Sequence, residues 1–317
     1  MAEENKKKLS LVVPCYNEEE VLMQFYDACL NVVDALSEEL DYEFVFVDDG
    51  SQDKTLSIFR ELANIDQHVR YISFSRNFGK EAGIYAGLSN CTGDYVVVMD
   101  ADLQHPPKYI EQMYNYIVDN GYESVGMKRR NRKSEGFVRR FCGKKFFALL
   151  SDLGGGQLPE GATDYRMMTR KFVDAVLSLT ERVRFTKGIF NWVGFDTHWI
   201  TYPDAERAAG HSKWKFGSLV SYSLEGITSF STKPLTYAMM GGGLMSIITF
   251  FLLIFVIIKG IATDEDPFGM GTLFLLLFFL TGLVLTAIGL LGFYFSKAYM
   301  EIKGRPIYIT KETNVKQ

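Results

Sequence analysis

The sequence predicts an α/β domain on a mostly parallel sheet, followed by two transmembrane helices. Three observations carry this. Up to about residue 120, short apolar runs alternate with longer segments of helical apolar spacing, the pattern of parallel strands joined by crossover helices. Three of the short runs end in polar or acidic clusters. Two later stretches, 237–258 and 271–295, are apolar and about as long as the 20 residues that cross a bilayer.

The elements follow in order. Residues 9–14 read as a strand, and 18–40 follow with Val21, Leu22, Phe25, Leu30 and Val33 at helical spacing. A second strand, 43–47, ends in Asp48-Asp49-Gly50-Ser51, and Ser51 or Asp53 is placed to cap a helix over 54–65. Residues 69–74 are a third strand, 79–89 a helix and 95–99 a fourth strand. Pro106 or Pro107 opens a helix that runs to about Asn120. The chain divides into a catalytic domain (1–211), an amphipathic juxtamembrane segment (212–236), two spans with a short acidic external loop (237–296) and a tail (297–317).

Composition narrows the function. A net charge of −4 argues against nucleic acid as a partner. Cys15, Cys29, Cys91 and Cys142 lack metal-ligand spacing and fit buried thiols in a reducing compartment. The polar N-terminus, followed by a strand, does not read as a signal peptide. Between 237 and 296 the only charges are Lys259, Asp264, Glu265 and Asp266. Lys213, Lys215 and Lys233 precede the spans, and Lys297, Lys303 and Arg305 follow them. The positive-inside rule therefore puts both termini of a multi-pass membrane protein in the cytoplasm, with the acidic loop outside.

Chemistry concentrates at Val96-Val97-Val98-Met99-Asp100-Ala101-Asp102-Leu103-Gln104. Residues i and i+2 of a strand share a face, so Asp100 and Asp102 point the same way with Gln104 close behind. Such hard oxygen ligands suit Mg²⁺ or Mn²⁺ carrying a phosphate-bearing substrate. An isolated Asp-x-Asp also reads as a solvated pair; the apolar strand before it favours the metal. Ligands of parallel sheets bind beyond the carboxyl ends of the strands, where Pro14-Cys15-Tyr16-Asn17-Glu18 and Asp48-Asp49-Gly50-Ser51 also fall. No Gly-x-Gly-x-x-Gly follows the first strand, and no Gly-Lys-Ser/Thr phosphate loop is present.

Six segments in order resemble the family 2 glycosyltransferases of glycosyltransferase-A fold, and within them the polyprenyl-phosphate glycosyltransferases, best the bacterial branch with two C-terminal spans. They are Val13-Pro14-Cys15-Tyr16-Asn17-Glu18-Glu19, Val47-Asp48-Asp49-Gly50-Ser51-Gln52-Asp53, Ser75-Arg76-Asn77-Phe78-Gly79-Lys80-Glu81, Met99-Asp100-Ala101-Asp102-Leu103-Gln104-His105-Pro106-Pro107, Thr163-Asp164-Tyr165-Arg166 and Ala209-Gly210-His211-Ser212-Lys213-Trp214.

The resemblance implies an inverting transferase, moving a sugar from a nucleotide sugar to undecaprenyl or another polyprenyl phosphate for cell-envelope glycosylation. UDP-glucose or UDP-N-acetylglucosamine is favoured over GDP-mannose. It implies that Pro14, Tyr16, Asn17, Glu18, Asp48 or Asp49, Lys80, Asp100 and Ala101 line the nucleotide pocket, and that Asp100, Asp102 and Gln104 hold Mg²⁺ or Mn²⁺. Asp164, with Arg166 and Asp102, forms the catalytic set; Asp164 is a base or orients the acceptor, the sugar or Arg166, and a structural Asp164–Arg166 salt bridge is the simpler alternative. The cations from Arg129, Arg130 and Arg132 through Arg139, Arg140 and Lys145 divide between a phosphate cradle and contact with anionic lipid. Arg129, Arg132, Arg139, Arg207 and Lys213 are the candidates for the lipid phosphate, the last two foremost. Residues 214–235 read as an amphipathic helix in the headgroup region. His105 and His211 lack a second ligand at metal spacing. A homo-oligomer is compatible with the sequence. A catalytically silent lipid-binding scaffold on the same fold is the competing class; intact Asp100, Asp102 and Gln104 argue against it.

Overall fold

The structure is a computed structural model that describes residues 6–129, 159–203, 233–263 and 270–315. It divides into two units: Met1–Ile227 with Pro306–Gln317, and Thr228–Arg305.

The first unit is built on one eight-stranded sheet in the order β7-β5-β6-β4-β1-β2-β3-β8. Its elements are β1 (Lys7–Cys15), α1 (Leu22–Ala35), β2 (Leu40–Asp48), α2 (Thr55–Ile65), β3 (Val69–Phe74), α3 (Lys80–Asn90), β4 (Tyr95–Val98), α4 (Tyr109–Asn120), β5 (Ser124–Arg129), β6 (Ala162–Thr169), α5 (Arg170–Ser178), α6 (Thr186–Trp192), β7 (Thr197–Tyr202) and β8 (Thr310–Thr313). β4, β1, β2 and β3 are mutually parallel, the doubly covered core that the alternation predicts. β6 then enters antiparallel between β4 and β5, and β7 runs parallel to β5.

Local chemistry explains the core. The β2 side chains Phe44 and Phe46 stack 5.6 Å apart, and Phe59 of α2 lies 4.9 Å from Phe46. α4 buries Ile110, Met113, Tyr114 and Ile117 at i, i+3, i+4 and i+7, and Gly121 ends it in the left-handed conformation at φ 71°. α3 lies close on β1: a Cβ on Gly87 would stand 2.2 Å from Cγ1 of Val12, so only glycine allows this approach. Cys15, Cys29 and Cys91 are free and buried; Cys142 lies outside the described residues.

The second unit holds α7 (Lys233–Thr263) and α8 (Met270–Ile302). Both are long and apolar enough to cross a membrane, with windows Leu235–Leu252 and Leu276–Ile302. Their apolar side chains are largely exposed, among them Phe251, Phe255, Phe278 and Phe295.

Residues 297–317 are not a plain tail. α8 continues to Ile302, and the chain then contributes β8, which pairs antiparallel with β3. The sheet hydrogen-bonding groups along the outer edge of β3 require a partner, and β8 supplies it. The acidic loop 264–269 and the juxtamembrane residues 212–232 lie outside the described residues.

Candidate active site

The first strand and the second lead into loops that lock together. Asn17, at φ 53°, accepts from the Gln52 N–H at 2.8 Å through its side-chain oxygen, while its own N–H donates to Ser51 Oγ at 2.9 Å. Asparagine is among the residues that tolerate this left-handed backbone. Glu18 N–H donates to Thr55 Oγ1, Glu19 N–H to Asp53 Oδ2, and Lys54 N–H to Glu19 Oε2. Pro14, Tyr16 and Glu18 therefore sit on a braced, partly exposed rim at the carboxyl end of β1.

Asp48 and Asp49 are buried, 1% and 4% exposed. Asp48 accepts from Ser51 N–H at 2.8 Å and Ser73 Oγ at 2.7 Å. Asp49 accepts from the backbone N–H groups of Phe78 (2.6 Å) and Gly79 (2.9 Å), and burial pushes its carboxyl above the ordinary value. Both carboxylates thus hold the β2 and β3 loops together at the end of the parallel core. Gly50 between them, at φ 70°, lets the loops meet: a Cβ there would lie 2.5 Å from the Arg76 carbonyl carbon. The Ala101 side chain is 2% exposed and packs in the core.

The acidic motif lies just past β4, not on it. The strand ends at Val98, and Asp100 to Gln104 form a turn. Leu103 takes φ 59°, a left-handed backbone that costs a non-glycine residue about 1–2 kcal/mol. Asp102 Oδ1 accepts from Gln104 N–H at 3.1 Å, and His105 Nδ1 accepts from Asp100 N–H at 3.1 Å. His105 is 1% exposed and stacks on Tyr165 with ring centres 5.0 Å apart. Burial lowers its pKa, so the ring is neutral and its Nδ1 is free to accept. His105 is thus a brace for the acidic turn, a role its isolated position in the sequence did not signal.

Lys80, the first residue of α3, reaches across to this turn. Its Nζ is 2.6 Å from Asp100 Oδ1, 2.9 Å from Asp100 Oδ2 and 2.8 Å from Asp164 Oδ2. The side chains keep 38% (Lys80), 28% (Asp100) and 13% (Asp164) of their exposure, so the cluster opens to solvent. Burial opposes each charge but loses to the neighbours. Asp100 and Asp164 hold Lys80 above the ordinary lysine value, Lys80 holds Asp100 below the ordinary carboxylate value, and Lys187 and Lys80 hold Asp164 well below it. Glu81 accepts from Thr186 N–H at 2.7 Å and from its hydroxyl, joining α3 to the helix that carries Lys187. Glu81, Thr186 and Lys187 are functional neighbours that sequence reasoning missed; only Glu81 stood within a motif.

The salt bridge considered for Asp164 is therefore made to Lys80. Arg166, two residues further along β6, is 2% exposed and turns its guanidinium onto aromatic rings: Phe190 at 4.4 Å, Trp199 at 5.3 Å and Phe172 at 5.9 Å. Its Nε and Nη1 have no hydrogen-bond partner among the described residues, and burial pushes its pKa down to about 10.

Arg129 donates from Nη2 to Gln104 Oε1 at 3.0 Å and from Nε to the Tyr202 hydroxyl at 3.2 Å. Arg129 therefore braces Gln104 on the acidic turn. Among the described residues no three His, Cys, Asp or Glu side chains converge on a metal-sized space. Asp100 and Asp102 nevertheless fit a hard divalent cation: both are partly exposed carboxylates on one short turn. Arg132, Arg139, Arg207 and Lys213 lie outside the described residues.

Comparison with known proteins places this geometry. The glycosyl transferase family 2 profile matches residues 10–177. The chain is 38% identical over 307 residues to the SfII prophage-derived bactoprenol glucosyl transferase of Shigella flexneri, covering 97% of this chain and 98% of that protein. It is 38% identical over 304 residues to the prophage bactoprenol glucosyl transferase homolog of Escherichia coli K12, covering 96% and 98%. The solved glucosyl-3-phosphoglycerate synthase of Mycobacterium tuberculosis, in complex with Mn²⁺ and UDP-glucose, aligns at TM-score 0.46 and 19% identity over 70% of this chain and 77% of that one.

Proposed function

The chain belongs to glycosyl transferase family 2, and we propose that it moves a sugar from a nucleotide sugar, UDP-glucose foremost, to a polyprenyl phosphate. It is a glycosyltransferase, and its sheet unit has the glycosyltransferase-A fold. The observation that carries the proposal is the partly exposed pair Asp100 and Asp102, set beside Lys80 and Asp164 where four parallel strands end. The glucosyl donor and polyprenyl acceptor are supported by the names of the Shigella and Escherichia relatives.

The chemistry follows from the residues. A divalent ion held by Asp100 and Asp102 would stabilise the charge that develops on the leaving diphosphate. Pro14, Tyr16, Asn17 and Glu18 form the nucleotide side of the cleft, and Lys80 stands where a diphosphate would meet the acidic turn. The acceptor phosphate monoester has a second pKa of about 6, so at neutral pH it is mostly dianionic and attacks without a strong base. Asp164 suits that economy. Lys80 and Lys187 keep it ionised and engaged, a state that orients neighbours and takes up protons poorly. Holding sugar and phosphate in line supplies several kcal/mol of barrier reduction, and a single displacement inverts the anomeric centre. Arg207 and Lys213 remain the proposed contacts of the lipid phosphate.

The two apolar helices are proposed to span the inner membrane, with the catalytic unit and both termini in the cytoplasm. The flanking lysines and arginines support this orientation. β8 supports two crossings, since the chain after α8 joins the sheet that the chain before α7 builds.

The test is transfer itself. Purified protein is incubated with Mg²⁺, undecaprenyl phosphate and a panel of radiolabelled nucleotide sugars, and label is sought in the organic phase. Label from UDP-glucose that disappears in Asp102→Asn supports the proposal. Label from GDP-mannose alone replaces the donor. No label from any donor, with lipid bound, overturns polyprenyl phosphate as the acceptor.

A further inference from the structure

We propose that Lys80 is the resident cation of the donor-free site, and that the divalent ion and the nucleotide enter together by displacing its ammonium from Asp100 while it stays on Asp164. The proposal rests on reading Asp100 and Asp102 as the metal's ligands.

The geometry makes the two cations compete. Lys80 Nζ lies within hydrogen-bond reach of both oxygens of Asp100, at 2.6 and 2.9 Å. A magnesium-sized ion binds carboxylate oxygen at about 2.0–2.1 Å, so an ion on either oxygen would stand against the ammonium with no screening group between them. The ion therefore enters only if Nζ leaves Asp100. Lysine can do this without loss of all its partners. Its ammonium is a compact point charge with three donors on a flexible four-carbon stem. One donor already serves Asp164 at 2.8 Å, and the 38% exposure of the side chain leaves room for the swing.

The exchange couples two ligands. With the metal alone, Nζ gives up Asp100 and gains no anion in return. With a nucleoside diphosphate present, the freed donor meets phosphate oxygens, and the charge of the incoming diphosphate offsets that of the ion. Metal and nucleotide then bind better together than apart, and by linkage each strengthens the other equally. Lys80 is in this sense a positioning residue that disfavours binding of the metal without nucleotide.

The test measures Mn²⁺ binding to the full-length protein in detergent, by the paramagnetic resonance signal of free Mn²⁺, with and without UDP. Wild type binds Mn²⁺ weakly alone and more tightly with UDP. In Lys80→Met, Mn²⁺ alone binds roughly tenfold more tightly than to wild type, within the range of ordinary coupling energies, and UDP adds less. Lys80→Arg keeps the charge and stays near wild type. Asp164→Asn removes the ammonium's other anchor and weakens Mn²⁺ binding, the opposite direction. Unchanged or weaker Mn²⁺ binding in a folded Lys80→Met overturns the competition, because a purely structural lysine would give that result. If wild type with UDP binds no Mn²⁺, the metal reading of Asp100 and Asp102 falls, and the Lys80 proposal with it.

Discussion

Arg60 and Glu312, 252 residues apart, meet through two parallel hydrogen bonds, Nε to Oε1 at 2.8 Å and Nη2 to Oε2 at 2.6 Å. The pair fastens α2 to the strand that follows both apolar helices. The Tyr71 hydroxyl adds a third bond to Glu312 at 2.8 Å, and Asn314 Oδ1 accepts from Tyr71 N–H at 2.7 Å.

Strand β8 should therefore loosen in acid. Hydrogen bonds from Arg60 and Tyr71 lower the Glu312 pKa to about 2 from the model-peptide value of 4.5. A depressed carboxylate contributes stability that is present above its unfolded pKa and lost as pH falls through the folded one. Hydrogen-exchange protection of 308–314, measured against the intrinsic rate at each pH, should thus fall between about pH 4.5 and pH 2 in wild type. Glu312→Gln should exchange faster at neutral pH and lose that acid step.

Gly50→Ala should destabilise the sheet unit by at least about 1–2 kcal/mol, because φ 70° is unfavourable for alanine and its Cβ would strike the backbone of Arg76 and Asn77. A lower melting temperature in detergent, with weaker UDP binding, is the expected readout. An unchanged melting temperature would mean that the β2 and β3 loops move apart freely.

Asp102→Asn should reduce transfer more than Asp164→Asn. Loss of a metal ligand removes several kcal/mol of charge stabilisation. Asp164 is held ionised by Lys187 and Lys80, so its loss should fall short of the roughly 10²–10⁴-fold typical of a missing general base. Rates at several pH values decide this: equal losses at neutral pH, with rescue of Asp164→Asn in alkali, would identify a true base.

Arg166→Met should leave stability unchanged or raise it, because a buried charge carries a desolvation cost and Nε and Nη1 lack partners among the described residues. Transfer should nevertheless drop, since a charge this close to Asp164 influences it. A strongly destabilised variant would instead show that the contacts with Phe190, Trp199 and Phe172 hold this side of the sheet.

Periodicity along the chain was enough to identify the parallel core. The predicted strand at 69–74 coincides with β3, and the strand at 95–99 overruns β4 by one residue. Helix boundaries were less legible: 18–40 shrinks to Leu22–Ala35, because residues 40 to 42 already pair with β1. Asp48 and Asp49 show the limit most clearly. Their place at a strand end is written in the sequence, but which way a carboxylate faces depends on the N–H groups brought to it, and those of Phe78 and Gly79 come from the next loop.

The sequence by itself determined the first four strands and the helices among them, the two long apolar segments and the site of the acidic turn, because each follows from the spacing of apolar and polar residues within a few turns of chain. Tertiary structure decided the rest. It slipped β6 between β4 and β5, placing Asp164 within reach of Lys80, 84 residues away. It gave Gln104 to Arg129 and carried β8 back to β3. Those outcomes depend on which distant backbone and side-chain groups satisfy one another once water is excluded, and local periodicity carries no record of such partners.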